Sequence, residues 1–208
     1  MRWVLALAVS LVAGIWPIWW MTDGFSVLTA EDARREAVAR SPRPIPDVRV
    51  IEADGRMASL RRALEDDGRV AIVSFFYSRC TSLCLAQGSQ VERLQRAIYD
   101  RGLDARVRLL SISFDPRDHA RELTSYAQRM HAQPGVWQFL ALPDGPQHDR
   151  LLSLFGIVVV PAPLGQFEHN AAFHVVTPQG RLARIVDLDE PGEALHVAEI
   201  LAGQGVAR

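Results

Sequence analysis

The run RVAIVSFFY (Arg69–Tyr77) constrains the fold more than any other stretch of the chain. It is rich in β-branched and aromatic residues and does not alternate with polar ones. That is the pattern of a strand buried on both faces, which needs helices packed on both sides of its sheet. A turn holding both cysteines of the chain, Cys80 and Cys84, follows at once. Beyond it Val91, Leu94, Ala97 and Ile98 recur at helical spacing, and Gly102 closes the segment.

The remaining segments continue this alternation. DVRVIEADGRMASL reads as two short strands around Asp54-Gly55, and SLRRALEDDG as a short helix ended by Gly68. ARVRLLSISF and VWQFLALP are strands; DPRDHARELTSYAQRM is a helix entered through Asp115-Pro116, and DGPQHDRLLSLFG is another. HNAAFHVVTPQGRLARIVD reads as a hairpin turning at Thr177–Gly180, and EPGEALHVAEILAG closes the chain as a helix. Strands alternating with helices imply an α/β layer with parallel crossovers, to which the late hairpin adds an antiparallel edge. A thioredoxin-like sandwich, with a mixed central sheet flanked by helices, fits this order. It would set the cysteine turn at the carboxyl end of a central strand, where α/β sheets hold their ligands.

The amino-terminal segment reads differently. From Trp3 to Met21 there is no charge, and Arg2 precedes the run. At about 1.5 Å per residue it spans roughly 28 Å, the hydrocarbon thickness of a bilayer. Arg2 favours a cytoplasmic amino end, and Trp16, Trp19 and Trp20 suit the far interface. We read residues 1–21 as a single-pass anchor in a bacterial-type inner membrane, with a cleavable signal peptide as the rival. Either way the body is exported to the periplasmic side, where disulfides can form. Residues 22–45 read as a linker, with a short charged helix over Glu31–Arg40 before the proline-rich SPRPIP, and residues 46–208 as the globular domain. The formal net charge of −1 gives no support for nucleic-acid binding.

The cysteine spacing leaves three chemistries open: a structural disulfide, a redox couple and a soft-metal site. A bridge closing so short a loop gains little entropy. A helix beginning near Cys80 would bring both thiols to one face, and its first N–H groups would favour thiolate. Two such thiolates suit Cu(I), whereas a structural zinc site wants four ligands. The spacing C-x-x-x-C differs from the C-x-x-C of ordinary thioredoxin-like reductases. A thiol peroxidase would need an activating arginine; Arg79 is adjacent but reads more simply as a solvated turn residue. Asp115 and Asp118 could suggest a divalent-metal site, and more simply Asp115 caps the next helix. Among the histidines, His119, His131, His148 and His196 read as surface residues and His174 as a strand histidine. His169, after the loop VVVPAPLGQFE and at the opening of the hairpin, stands open between ligand and surface residue.

Four segments in order resemble the SCO/SenC family of copper-binding assembly factors for cytochrome c oxidase: FFYSRCTSLC, LLSISFDPRDHARELTSYA, WQFLALPDGPQHDRLLSLFGIVV and HNAAFHVVTPQGRLARIVD. The resemblance covers about residues 46–202 and the anchor. It implies a thioredoxin-like fold and one copper ion, Cu(I) or Cu(II), held by Cys80, Cys84 and His169. It implies delivery of copper to the CuA centre in subunit II of the oxidase or to another cuproprotein. The alternative it carries is a membrane-anchored thiol–disulfide oxidoreductase, with Cys80 and Cys84 as redox pair, that reduces a cuproprotein partner's cysteines. The chain departs from the family pattern at Thr81-Ser82-Leu83 between the cysteines, at Leu85 in place of a proline and at Asn170 in place of a serine.

Overall fold

The computed structural model describes residues 2–3, 13–17, 29–80 and 83–205; the side chains of 83–86 lie outside that description. The chain divides into two compact units, 1–41 and 42–208. In the first unit the charged segment forms helix α1 (Ala30–Arg40). A capping box fixes its start. Thr29 Oγ1 accepts the Asp32 N–H at 3.1 Å, and the Asp32 carboxylate accepts the Thr29 N–H at 2.9 Å. Most of the anchor expected at 1–21 lies outside the described residues. Among those described, no helix is long and apolar enough to cross a membrane.

The second unit contains the strands β1 (Arg43–Pro44), β2 (Arg49–Glu52), β3 (Met57–Ser59), β4 (Val70–Phe76), β5 (Val107–Ser113), β6 (Trp137–Ala141), β7 (Val159–Ala162), β8 (Gln166–His169), β9 (Ala172–Val176) and β10 (Arg181–Asp187). Its helices are α2 (Leu60–Asp67), α3 (Leu83–Asp100), α4 (Ala120–Arg129), α5 (Pro146–Phe155) and α6 (Pro191–Gly205). Eight strands form one sheet in the order β1-β10-β9-β4-β5-β6-β2-β3, with β4, β5 and β6 parallel and the other pairings antiparallel. This is the thioredoxin-like sandwich with a mixed sheet that the element order implied.

Every residue of β4 and β5 is buried, as a strand covered on both faces must be. Successive side chains of β4 serve opposite layers. Phe75 packs on Phe155 of α5 at 5.0 Å between ring centroids, whereas Phe76 packs on Tyr126 of α4 at 4.4 Å. Helix α6 lies against β4, β9 and β10 and touches α3. Inside the sheet, Trp137 Nε1 donates to Ser111 Oγ, itself 2.9 Å from Ser74 Oγ, so these buried polar groups satisfy one another.

At the amino-terminal end of the parallel strands a charged brace closes the layer. Arg69 donates to Asp67 at 2.8 Å and to the Asp104 and Gly135 carbonyls. Arg108, buried on β5, reaches Asp67 at 3.3 Å, Gln138 Oε1 and the Ala63 carbonyl. Burial raises the Asp67 carboxyl, but Arg69 and Arg108 outweigh it and hold the group below its ordinary range.

Three segments depart from the sequence reading. Arg43 and Pro44, read as linker, pair with Arg181 and Leu182 at the sheet edge. The helix after Asp115-Pro116 begins only at Ala120, with His119 at its N-cap, because Asp118 N–H turns back to the Asp115 carbonyl at 2.9 Å. The loop 158–168 is largely a separate antiparallel ribbon, β7 against β8, with Val159 opposite His169. His169 therefore ends β8, and the main hairpin opens at Ala172. Pro161 and Pro163 masked this ribbon in the sequence. Pro161 stands opposite Phe167, whose N–H faces away from β7 toward Tyr77, so this pair asks no N–H of the proline.

Candidate metal and thiol centre

Strand β4 ends at Phe76, and the chain turns through Tyr77, Ser78 and Arg79 into Cys80. Cys80 N–H closes that turn on the Tyr77 carbonyl at 3.3 Å. Cys80 therefore lies ahead of the helix rather than on its face, and only 8% of its surface is exposed. Cys84 is the second residue of α3, with its thiol outside the described side chains.

The loop after β5 holds the cysteine turn in place. Asp118 is buried and accepts from the Ser78 N–H at 2.8 Å, the Ser78 hydroxyl at 2.5 Å and the Ser113 hydroxyl at 2.5 Å. Asp115 is also buried and binds Arg79 at 2.6 Å and Arg117 at 2.8 Å. Burial raises the Asp115 carboxyl, and the Arg117 and Arg79 guanidiniums override that and hold it below the ordinary carboxylate range. Thus Asp115 does not cap α4, and Arg79 is ion-paired rather than merely solvated. Both aspartates are consumed by hydrogen bonds that shape the turn, which leaves them poorly suited to a divalent-metal site.

The imidazole of His169 is half-buried among aromatic rings. Its centroid lies 4.9 Å from Phe114 and 6.1 Å from Tyr77. Nδ1 is 2.9 Å from the Asn170 carbonyl, which can only accept, so Nδ1 carries a proton and, in the neutral ring, Nε2 the lone pair. Burial holds the ring below its ordinary pKa, against the opposing effect of that hydrogen bond, and so favours the neutral form a metal requires. Asn170 pins the ribbon beneath it: its Oδ1 accepts the Val158 N–H and its Nδ2 donates to the Gly156 carbonyl, both at 2.8 Å.

Tyr77 joins the two halves of the centre. It stands three residues before Cys80, stacks edgewise on His169, and its hydroxyl meets Gln166 Oε1 at 3.0 Å and the Phe167 carbonyl at 3.2 Å. The structure thus brings the Cys80 turn and His169 to one residue that the sequence reading did not single out. Its position three residues before a cysteine turn, opposite a histidine-bearing ribbon, leaves no sequence signal unless that ribbon is known. Among the described residues, no group of three His, Cys, Asp or Glu side chains is placed to hold a metal ion; the Cys84 thiol is outside them. One soft thiol and one neutral imidazole nitrogen are donors that fit copper.

The other histidines sort by contact. His174 is fully buried, donates from Nε2 to the Phe155 carbonyl at 3.0 Å and packs on Phe75, as a strand histidine should. His119, His131 and His196 are exposed. His148 is only partly exposed: its Nε2 donates to the Phe114 carbonyl at 2.8 Å, behind the ring that supports His169, and its Nδ1 lies 3.0 Å from the exposed Asp149.

The sequence profile described as SCO1/SenC matches residues 49–202. No curated protein matches the chain. Among solved structures, BsSco, described as a member of the Sco family of cytochrome c oxidase assembly proteins with a disulfide switch, is similar at 21% identity. It covers 81% of this chain and 96% of its own, with a TM-score of 0.66. A SCO1/SenC family lipoprotein from Bacillus anthracis is similar at 19% identity, covering 78% and 98%, with a TM-score of 0.66. Copper-bound ScoI from Arabidopsis thaliana is similar at 16% identity, covering 74% and 97%, with a TM-score of 0.63. At these identities the structural likeness speaks for the fold.

Proposed function

Because the chain belongs to the SCO1/SenC family, we propose that it is a copper metallochaperone carrying one copper ion on Cys80, Cys84 and His169. The observation that carries the proposal is the placement of His169. Its half-buried ring sits against Tyr77 with Nδ1 tied to a main-chain carbonyl, which leaves Nε2 as the nitrogen suited to a metal, and burial shifts its pKa toward the neutral form. It reaches the cysteine turn through Tyr77. Copper is the cargo here, and a partner takes it by exchanging these ligands for its own. We propose the CuA domain of cytochrome c oxidase subunit II, or another cuproprotein, as that partner. The apolar segment at 1–21 would hold the domain at the periplasmic face of the inner membrane, in keeping with the family's lipoprotein member.

The disulfide switch of BsSco favours a second reading, thiol–disulfide exchange. One thiolate of the pair attacks a partner disulfide, a mixed disulfide forms, and the other thiol displaces it. The partner leaves with two thiols, and Cys80 and Cys84 leave as a disulfide.

Copper stoichiometry separates the two. Reduced full-length protein is expected to retain one copper, and Cys80→Ser, Cys84→Ser and His169→Ala each to lose it. Equal retention by His169→Ala would remove the histidine from the ligand set. No retention by the wild type, with a reversible Cys80–Cys84 disulfide, would leave the reductase reading.

A further inference from the structure

We infer that the Tyr77 hydroxyl is the positioning group that sets the His169 imidazole relative to the cysteine turn. The inference rests on the metal-site reading above and names a residue outside the ligand set.

The ribbon β7–β8 is not paired with the main sheet. In an extended strand the N–H and C=O of one residue point the same way, and those of Phe167 both point at Tyr77 Oη. Phe167 N–H donates to Oη at 3.3 Å, and Oη–H is shared between the Phe167 carbonyl at 3.2 Å and Gln166 Oε1 at 3.0 Å. One phenol therefore stands in for a third strand along the outer edge of β8. It does so from a fixed base, since Tyr77 directly continues β4, is itself buried, and packs on Phe114 at 5.4 Å. His169 lies two residues beyond Phe167 on the same strand, and its ring rests on Tyr77 and Phe114.

A second tie acts at the ribbon's turn. Arg117, anchored on Asp115, donates to the Gly165 carbonyl at 3.0 Å and lies 5.3 Å from the Phe167 ring centroid. That tie fixes the tip of the ribbon, and the Tyr77 hydroxyl fixes the strand that bears the histidine. Removing the hydroxyl while keeping the ring leaves the aromatic packing intact and frees the edge of β8. The imidazole then loses its register against Cys80.

Tyr77→Phe in the full-length protein tests this through two readouts. In the copper-free protein the Phe167 amide should exchange with solvent about tenfold faster or more, as loss of one hydrogen bond implies, while Leu110 in β5 keeps its protection. In the copper-loaded protein the nitrogen hyperfine coupling of Cu(II) should weaken relative to wild type. Unchanged Phe167 exchange would overturn the inference, and so would faster exchange with a wild-type nitrogen coupling. If the wild type binds no copper, the metallochaperone reading fails by itself, and the His169 imidazole resonances decide the inference. A shift in Tyr77→Phe sustains it, and unmoved resonances overturn it.

Discussion

The two ends of the parallel strands both carry arginines on buried or half-buried carboxylates, and they are built for different ends. At the amino-terminal end Arg69, Asp67 and Arg108 have side-chain exposures of 17%, 17% and 3%, and their partners are carbonyls and groups of the sandwich itself. At the carboxyl end Asp115 is 0% exposed, but its two arginines are each 45% exposed. There the ion pairs join separate pieces of chain: Arg79 belongs to the cysteine turn, and Arg117 reaches the ribbon through Gly165. The closed brace contributes to the stability of the sandwich. The open one contributes to the relative placement of loops, which is what a site assembled from a turn and a ribbon requires.

The contrast predicts where each cluster fails. The largest effect falls on the brace. Asp67→Ala leaves Arg108 buried without its carboxylate and should cost about 3 kcal/mol, since breaking a buried pair strands the other charge. Urea unfolding should show a lower midpoint with unchanged slope, and copper stoichiometry should not change. The double variant with Arg108→Met should recover most of that loss. If Asp67→Ala instead altered copper binding, the division between the two ends would not hold.

Asp118→Asn should cost less, about 1–2 kcal/mol, because the amide keeps one acceptor while meeting three donors. Its main consequence lies at the carboxyl end. With Ser78 released, Cys80 should react with a thiol reagent several times faster, about a factor of five for roughly 1 kcal/mol of lost closure. Unchanged Cys80 reactivity would mean that Asp118 shapes the loop without holding the cysteine.

The smallest effect is in pH dependence. His169 in the folded chain lies below its ordinary value of 6.5, so the unfolded chain binds more protons near that pH. The stability this provides is complete above about 6.5 and shrinks as pH falls through the interval down to the folded value. His169→Gln should flatten the stability curve of copper-free protein in that window relative to wild type. Parallel curves would place the ring in water.

Much of the scaffold was legible in the sequence, for reasons that particular segments show. Arg69–Tyr77 could be read because a strand covered on both faces must be apolar throughout. Gly68 marked the end of α2 because it adopts φ 73°, a left-handed conformation that side chains disfavour. The β7–β8 ribbon escaped because its prolines signal a loop and its partner strand is short. His148 read as a surface residue because its neighbours in sequence are polar, yet the Phe114 carbonyl brings it inward. Asp115-Pro116 imitates a helix start, and only the arginines that claim Asp115 show otherwise.

By itself the sequence determined the order of the main strands and helices and the cysteine turn at the end of a buried strand. Those depend on hydrophobic period, on turn residues and on local spacing, all of which act between near neighbours. Only the tertiary structure decided which ribbon edge meets Tyr77, that His169 is half-buried against Phe114 and Tyr77, and that Asp115 and Asp118 shape a loop. Each of these arises from groups far apart in the chain, such as Tyr77 with Phe167 or Arg117 with Gly165. No local pattern encodes a contact that exists only once the sheet has set both partners at the same end.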